Sequence, residues 1–208
     1  MTEMDMRSGL AHEDLCRLVA ACYYEPEPAF ADEGLFDNLL AAAQRLDQSL
    51  VPHAQAMSEA FRTTDPQRLL LDYTRLFLGP VDILAKPYGS VWLDREKDLM
   101  NESTLSVLEL YQEADFDMDE EFRELPDHIA AELEFLYLLF FRENEAVRTG
   151  DSAGLEHAAS LRRRFLDQHL ARWIGPFTAA MRTNAQTDFY RQLADLTEKL
   201  VRRQTALA

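Results

Sequence analysis

Apolar residues recur at three- and four-residue spacing through most of this chain, and that period admits helices and little else. Leu15, Leu18, Val19 and Cys22 form one such stripe, and Leu69, Leu70, Tyr73, Leu76 and Phe77 form another. A third runs through Phe189, Leu193, Leu196 and Leu200 near the C-terminus. No run alternates apolar and polar residues convincingly enough for a strand. With only 7 Gly and 8 Pro in 208 residues, a turn-rich β protein is disfavoured. An apolar fraction of 47% is enough to build a core. The expected fold class is all-α: residues 1–208 as a single helical bundle domain of about nine to eleven helices, with a long irregular loop at 79–98.

Punctuation places several helix ends. Further helical segments are expected from about Leu35 to Leu50 and from Pro52 to Phe61. Asp65 can cap the following helix, with Pro66 at the first position, where no N–H is needed. Gly79-Pro80 should end it. Periodicity is lost from Gly79 to Asp98 and resumes from about Leu99 to Tyr111. An acidic stretch, Glu113 to Glu124, reads as a flexible connector and a candidate hinge over 113–125. Pro126 is expected to open a long helix to about Arg148. Its centre, Phe135 to Phe141, is apolar on all sides and should lie in the middle of the bundle. Asp151 can cap the next helix, and Gly175-Pro176 should interrupt or restart the pattern after it.

Composition excludes some functions. The longest apolar run is Phe135 to Phe141, whereas a membrane span needs roughly 20 residues. The acidic N-terminus lacks the apolar core of a signal peptide, so a cytoplasmic protein is expected. A formal net charge of −16 repels nucleic acid and anionic membranes and favours basic partners. Cys16 and Cys22 share one helical pattern about 9 Å apart along the axis, too far for a disulfide. They should be reduced packing residues.

Catalytic and metal motifs are missing. No GxGxxG, P-loop, nucleophile elbow or HExxH occurs. A di-iron bundle needs Glu-x-x-His from two helices, and no Glu here has a His three positions later. His128 and Glu132, at i and i+4, could ligate a metal, but two ligands are too few; no metal and no cofactor is expected. Asp127 and His128 at a helix start admit two readings: helix-start chemistry through the dipole, or an acid–imidazole pair available to a partner. Aromatics on a stripe, such as Tyr73 and Phe77, are usually core. Tyr88 and Trp92 fall in the nonperiodic loop, where aromatics serve a groove or anchor the loop.

Three segments together resemble the TorD/DmsD family of redox enzyme maturation chaperones. They are Tyr73-Thr74-Arg75-Leu76-Phe77-Leu78-Gly79-Pro80 with Pro87-Tyr88-Gly89-Ser90-Val91, then Leu125-Pro126-Asp127-His128-Ile129-Ala130-Ala131-Glu132-Leu133-Glu134-Phe135, then Phe165-Leu166-Asp167-Gln168-His169-Leu170-Ala171-Arg172-Trp173. Leu125 stands where the family usually has Glu, and Lys86 and Gly89 replace a more usual Pro and Glu. The resemblance implies a helical, non-enzymatic chaperone that binds the twin-arginine signal peptide and apo form of one molybdenum-cofactor oxidoreductase, aiding cofactor insertion and delaying export. It implies a monomer or a domain-exchanged homodimer. It implies client contacts at Tyr73, Leu76, Phe77, Tyr88, Asp127 and His128, to which the loop argument adds Trp92. An assembly chaperone for a nitrate-reductase-like enzyme, binding its body and not an export signal, is the alternative within the family. A nucleotide-binding enzyme is the alternative outside it; guanine-nucleotide binding has been suggested in the family, but no motif here supports it.

Overall fold

The computed structural model describes residues 3–79, 82–94, 101–118 and 124–205. They form α1 (Glu3–Ala21), α2 (Ala29–Asp32), α3 (Leu35–Leu46), α4 (Val51–Thr63), α5 (Pro66–Tyr73), α6 (Ser90–Leu93), α7 (Glu102–Glu113), α8 (Ile129–Thr149), α9 (Ser152–Phe165), α10 (Ala171–Asn184) and α11 (Asp188–Thr205). The fold is all-α, with no named strand among the described residues. α8 packs against α1 and α9, α1 also against α3, and α11 against α4 and α10, around one continuous apolar core.

Local capping works as the sequence dictates. The Asp65 carboxylate accepts from the Gln67 and Arg68 backbone N–H groups at 2.9 and 3.3 Å, ahead of Pro66 at the first helical position. Asp151 accepts from Gly154 N–H at 2.9 Å to start α9. Gly79 ends its segment with φ 51°, and a Cβ there would stand 2.6 Å from the Asp82 carbonyl oxygen. Cys16 and Cys22 are free thiols in the core, and burial pushes both up to about 12.

Three expectations are corrected. First, α5 does not run on as an α-helix to Gly79; Thr74–Leu78 forms a π turn, closed by Gly79 N–H on the Thr74 carbonyl at 2.7 Å. Second, α8 begins at Ile129, not at Pro126. Pro126 to His128 is pulled out of helical geometry because it pairs with the loop: Gly89 N–H donates to Asp127 O at 2.9 Å, and Ile129 N–H to Pro87 O at 2.8 Å. The N-cap is His128, whose Nδ1 accepts from Ala130 N–H at 3.2 Å. Third, α10 passes straight through Gly175-Pro176, and the irregularity lies earlier, in a π turn at Leu166–Leu170. Proline inside a helix costs about 3 kcal/mol. Trp173, Ile174 and Phe177 are fully buried around it, and each such burial is worth about 1.5–3 kcal/mol, so packing wins.

The loop expected at 79–98 is ordered over its described part. Ala85 N–H bonds the Leu76 carbonyl at 2.9 Å, and α6 follows within it. The acidic connector lies in part at 119–123, outside the described residues. Its start is anchored by Phe116, whose ring packs on Tyr111 and Phe135 with centroids 4.8 and 5.4 Å away. Phe135, Leu136, Leu139 and Phe140 are core, whereas Tyr137 and Leu138 are half-buried and Phe141 is 40% exposed.

Candidate functional site

The site grows from the junction where the Pro87–Gly89 strip lies antiparallel to Asp127–Ile129, with Tyr88 opposite His128. Tyr111 holds the junction from below, its hydroxyl donating to the Pro126 carbonyl at 2.9 Å. Asp127 Oδ2 accepts from Ser90 N–H at 2.8 Å, which fixes the start of α6. Trp92 Nε1–H donates to the Lys86 carbonyl at 2.9 Å and closes the loop on itself. The Tyr88 ring lies edge-on to the His128 ring at 5.4 Å, and its hydroxyl donates to Glu124 Oε2 at 2.5 Å.

Behind the junction sits a buried polar cluster. Glu132, on the first turn of α8, takes His169 Nε2 at 2.6 Å and Trp173 Nε1–H at 3.1 Å on its two oxygens. His169 lies within the π turn at Leu166–Leu170. Burial lifts the Glu132 carboxyl to about 7. Burial alone would lower His169, but the Glu132 charge and hydrogen bond outweigh it and raise its pKa above the usual imidazole value. Gly89 lies over the cluster: a Cβ there would meet His169 Nε2 at 2.9 Å, Trp173 Nε1 at 3.0 Å and Glu132 Oε1 at 3.1 Å. Its φ is an ordinary −59°, so glycine is demanded by close approach and not by backbone conformation.

The predicted site residues separate by depth. Tyr73, Tyr88 and Trp92 are half-buried and reach the surface. Leu76 and Phe77 are core; Phe77 sits between Tyr23, Tyr73, Phe177 and Tyr190. Asp127 and His128, expected at an open helix mouth, are 0% and 6% exposed, because the Tyr88 strip covers them. Burial pushes His128 down to about 3, so its ring is neutral. Asp127 Oδ1 has no hydrogen-bond partner among the described residues.

Around the two tyrosines the surface is acidic. Burial raises the Tyr73 phenol to about 12, with Glu124 and Glu25 adding to the rise. Burial, the Glu124 hydrogen bond and the Asp127 charge raise Tyr88 in the same direction. Sequence reasoning did not single out Glu25 or Glu124, which have no periodicity to mark them. His169 and Trp173 were visible only as letters inside one motif, and Glu132 only as a letter of another and as a possible metal partner of His128. The structure pairs Glu132 with His169, not with His128. No group of three or more His, Cys, Asp or Glu among the described residues could hold a metal ion, and no described helix is long and apolar enough to cross a membrane.

A family model described as nitrate reductase delta subunit matches residues 33–179. The Tat proofreading chaperone DmsD of Salmonella typhi is 30% identical over 182 residues, covering 86% of this chain and 81% of that protein. The chain belongs to the TorD/DmsD family. A selenate reductase assembly chaperone from Thauera selenatis is 44% identical over a shorter span of 72 residues, 34% of this chain and 36% of that one. A solved structure from Archaeoglobus fulgidus, assigned to redox enzyme maturation, shares the fold with a TM-score of 0.57 at 18% identity over 91% of this chain and 93% of its own. The TorD/DmsD chain is thus a maturation chaperone and not an enzyme. The three TorD/DmsD segments meet in space: Gly89 from the first covers Glu132 from the second, which binds His169 and Trp173 from the third.

Proposed function

We propose that this chaperone binds, in the cytoplasm, the twin-arginine signal peptide and apo form of a molybdenum-cofactor oxidoreductase, delaying export until cofactor is inserted. One observation carries the reading: Tyr73 and Tyr88 lie half-exposed beside Glu25 and Glu124, with Leu78 49% exposed on the adjoining π turn. A basic segment followed by an apolar one wants aromatic surface with carboxylates next to it. The net charge of −16 speeds encounter with such a segment more than it adds affinity. Asp127 acts in this arrangement as a negative floor beneath Tyr88, through its field and not by direct contact.

Calorimetric titration with a client signal peptide in twin-arginine and twin-lysine forms tests this. Arginine's planar fork pairs with carboxylates in a way lysine cannot, so the twin-lysine peptide should bind more weakly. Glu124→Gln should weaken the twin-arginine peptide and narrow the gap between the two. Equal binding of both peptides by the wild-type chain would remove the signal-peptide reading. The family model's description as a nitrate reductase subunit favours a second reading, binding of the mature body of a nitrate-reductase-like enzyme. Capture of a client lacking its leader as efficiently as the full precursor would favour that one.

A further inference from the structure

Glu132 and His169 are buried directly behind the Pro87–Gly89 strip. Gly89 links them to the surface: a Cβ on it would stand 2.9 Å from His169 Nε2, and Tyr88 is its chain neighbour. Burial acts first on Tyr88, Glu132 and His169, then the hydrogen-bond partner of each. Asp127 adds a further upward push on Tyr88 outside and on Glu132 and His169 inside. Asp94, just after α6, pushes His169 the same way. Tyr111 on α7, raised chiefly by burial, also feels the Glu132 charge. His128, one turn before Glu132, is kept neutral by burial. Phe165 of α9 stacks on the His169 ring at 6.1 Å, and Trp173 of α10 donates to Glu132 without titrating. No cation other than His169 itself stands among these neighbours. Two protons are exchangeable there near neutral pH, on Glu132 at about 7 and on His169 above the usual imidazole value.

We propose that the Glu132–His169 pair is a proton-exchanging counter-charge for the client site: a cationic segment seated against Tyr88 is bound with release of a proton from the pair to solvent. The inference rests on the signal-peptide reading above. A proton on the pair is a positive charge that opposes an incoming arginine, and its departure leaves one more negative charge behind Asp127. By linkage the arginine and the proton each weaken the other's hold. One unit charge about 10 Å away, at an effective dielectric of about 20 to 40, moves a pKa by roughly half a unit to one unit. The pair need not separate, because a neutral His169 still donates through Nε2–H to Glu132. Burial keeps His12 and His128 at about 4 and 3 and raises the Tyr73 phenol to about 12, so none of these changes charge between pH 6 and 8.

The test uses the full chain and a synthetic peptide with an arginine pair followed by apolar residues. The peptide is acetylated and amidated at its ends and free of His, Asp, Glu and Cys, so it does not itself titrate. Wild type should bind it roughly threefold to tenfold more tightly at pH 8 than at pH 6. At pH 7 the calorimetric heat should vary with the ionisation enthalpy of the buffer, in the sense of proton release. The midpoint of the His169 ring titration, followed by NMR, should fall by about half a unit or more when peptide is bound. Glu132→Gln removes the charge that raises His169, so burial leaves the ring neutral and both the pH and the buffer dependence should vanish. If Glu132→Gln does not fold, the His169 titration of wild type decides alone. Affinity flat from pH 6 to 8 with an unmoved His169 midpoint overturns the proton exchange and spares the client site. So does a pH dependence that persists in folded Glu132→Gln. Failure of the arginine peptide to bind wild type at any pH overturns the signal-peptide reading itself, and the proton exchange with it.

Discussion

Glu132 on α8 and His169 on the π turn before α10 share a 2.6 Å hydrogen bond, with side chains 0% and 4% exposed. Residues far apart in sequence are thereby locked into one interior, and Gly89 closes over them.

Removing one partner of a buried pair leaves the other charge unanswered, which costs about 3–5 kcal/mol. His169→Ala and Glu132→Ala should each lower stability by that order in chemical denaturation. The double variant should lose less than the sum. Additive losses would mean the two groups do not act as a pair.

The same pair sets a pH dependence. Both folded-state pKa values lie above their unfolded ones, Glu132 at about 7 through burial and His169 raised by Glu132. The folded chain therefore holds protons that the unfolded chain releases, so the pair's contribution is full below about pH 4.5 and fades as pH rises through about 7. His12 and His128, pushed by burial to about 4 and 3, act the other way, losing stability as pH falls below about 6.5. Glu132→Gln isolates the pair: wild type minus variant stability should shrink steadily from pH 5 to 8. A constant difference would place the proton elsewhere.

Gly89→Ala should destabilise by about 1–3 kcal/mol, the cost of overpacking, although its backbone angles suit alanine. Thermal melts read this directly. A variant as stable as wild type would show that the Glu132 cluster can yield by several tenths of an ångström.

Asp72 caps α11 from a distance. Its carboxylate takes the backbone N–H groups of Gln186 and Thr187 at 2.9 and 2.7 Å and the Thr187 hydroxyl at 2.8 Å. Asp72→Ala leaves the buried Thr187 N–H and hydroxyl without their acceptor and should cost several kcal/mol, at about 1–3 per orphaned group. Hydrogen exchange should show the start of α11 opening first.

Asp127→Ala removes the acceptor for Ser90 N–H and should lower the melting temperature more than Asp127→Asn, which keeps an acceptor oxygen. For the twin-arginine peptide, Asp127→Asn should weaken binding by less than the roughly 1.5–3 kcal/mol of a direct charged hydrogen bond. The deficit should shrink in high salt. A loss in the full range would mean that Asp127 emerges to meet the arginine.

The short helices Ala29–Asp32 and Ser90–Leu93 were not expected, but the long helices, their caps at Asp65 and Asp151 and the apolar core faces were legible in the sequence. Each is a short-range property: a cap reads the next three residues, and a stripe reads the next four. Several matters were decided only in three dimensions. Pro126 signals a helix start, yet the hydrogen bonds of Pro87 and Gly89 hold that segment extended and move the start to Ile129. His128 and Glu132 share a helix face by spacing, but the acid turns to a histidine from a distant helix. Asp127 has the letter of a surface acid and the burial of a core residue, because Tyr88 lies across it. Such outcomes depend on which distant groups tertiary packing brings to each donor and acceptor, and a one-dimensional pattern carries no distance between segments that meet only after folding.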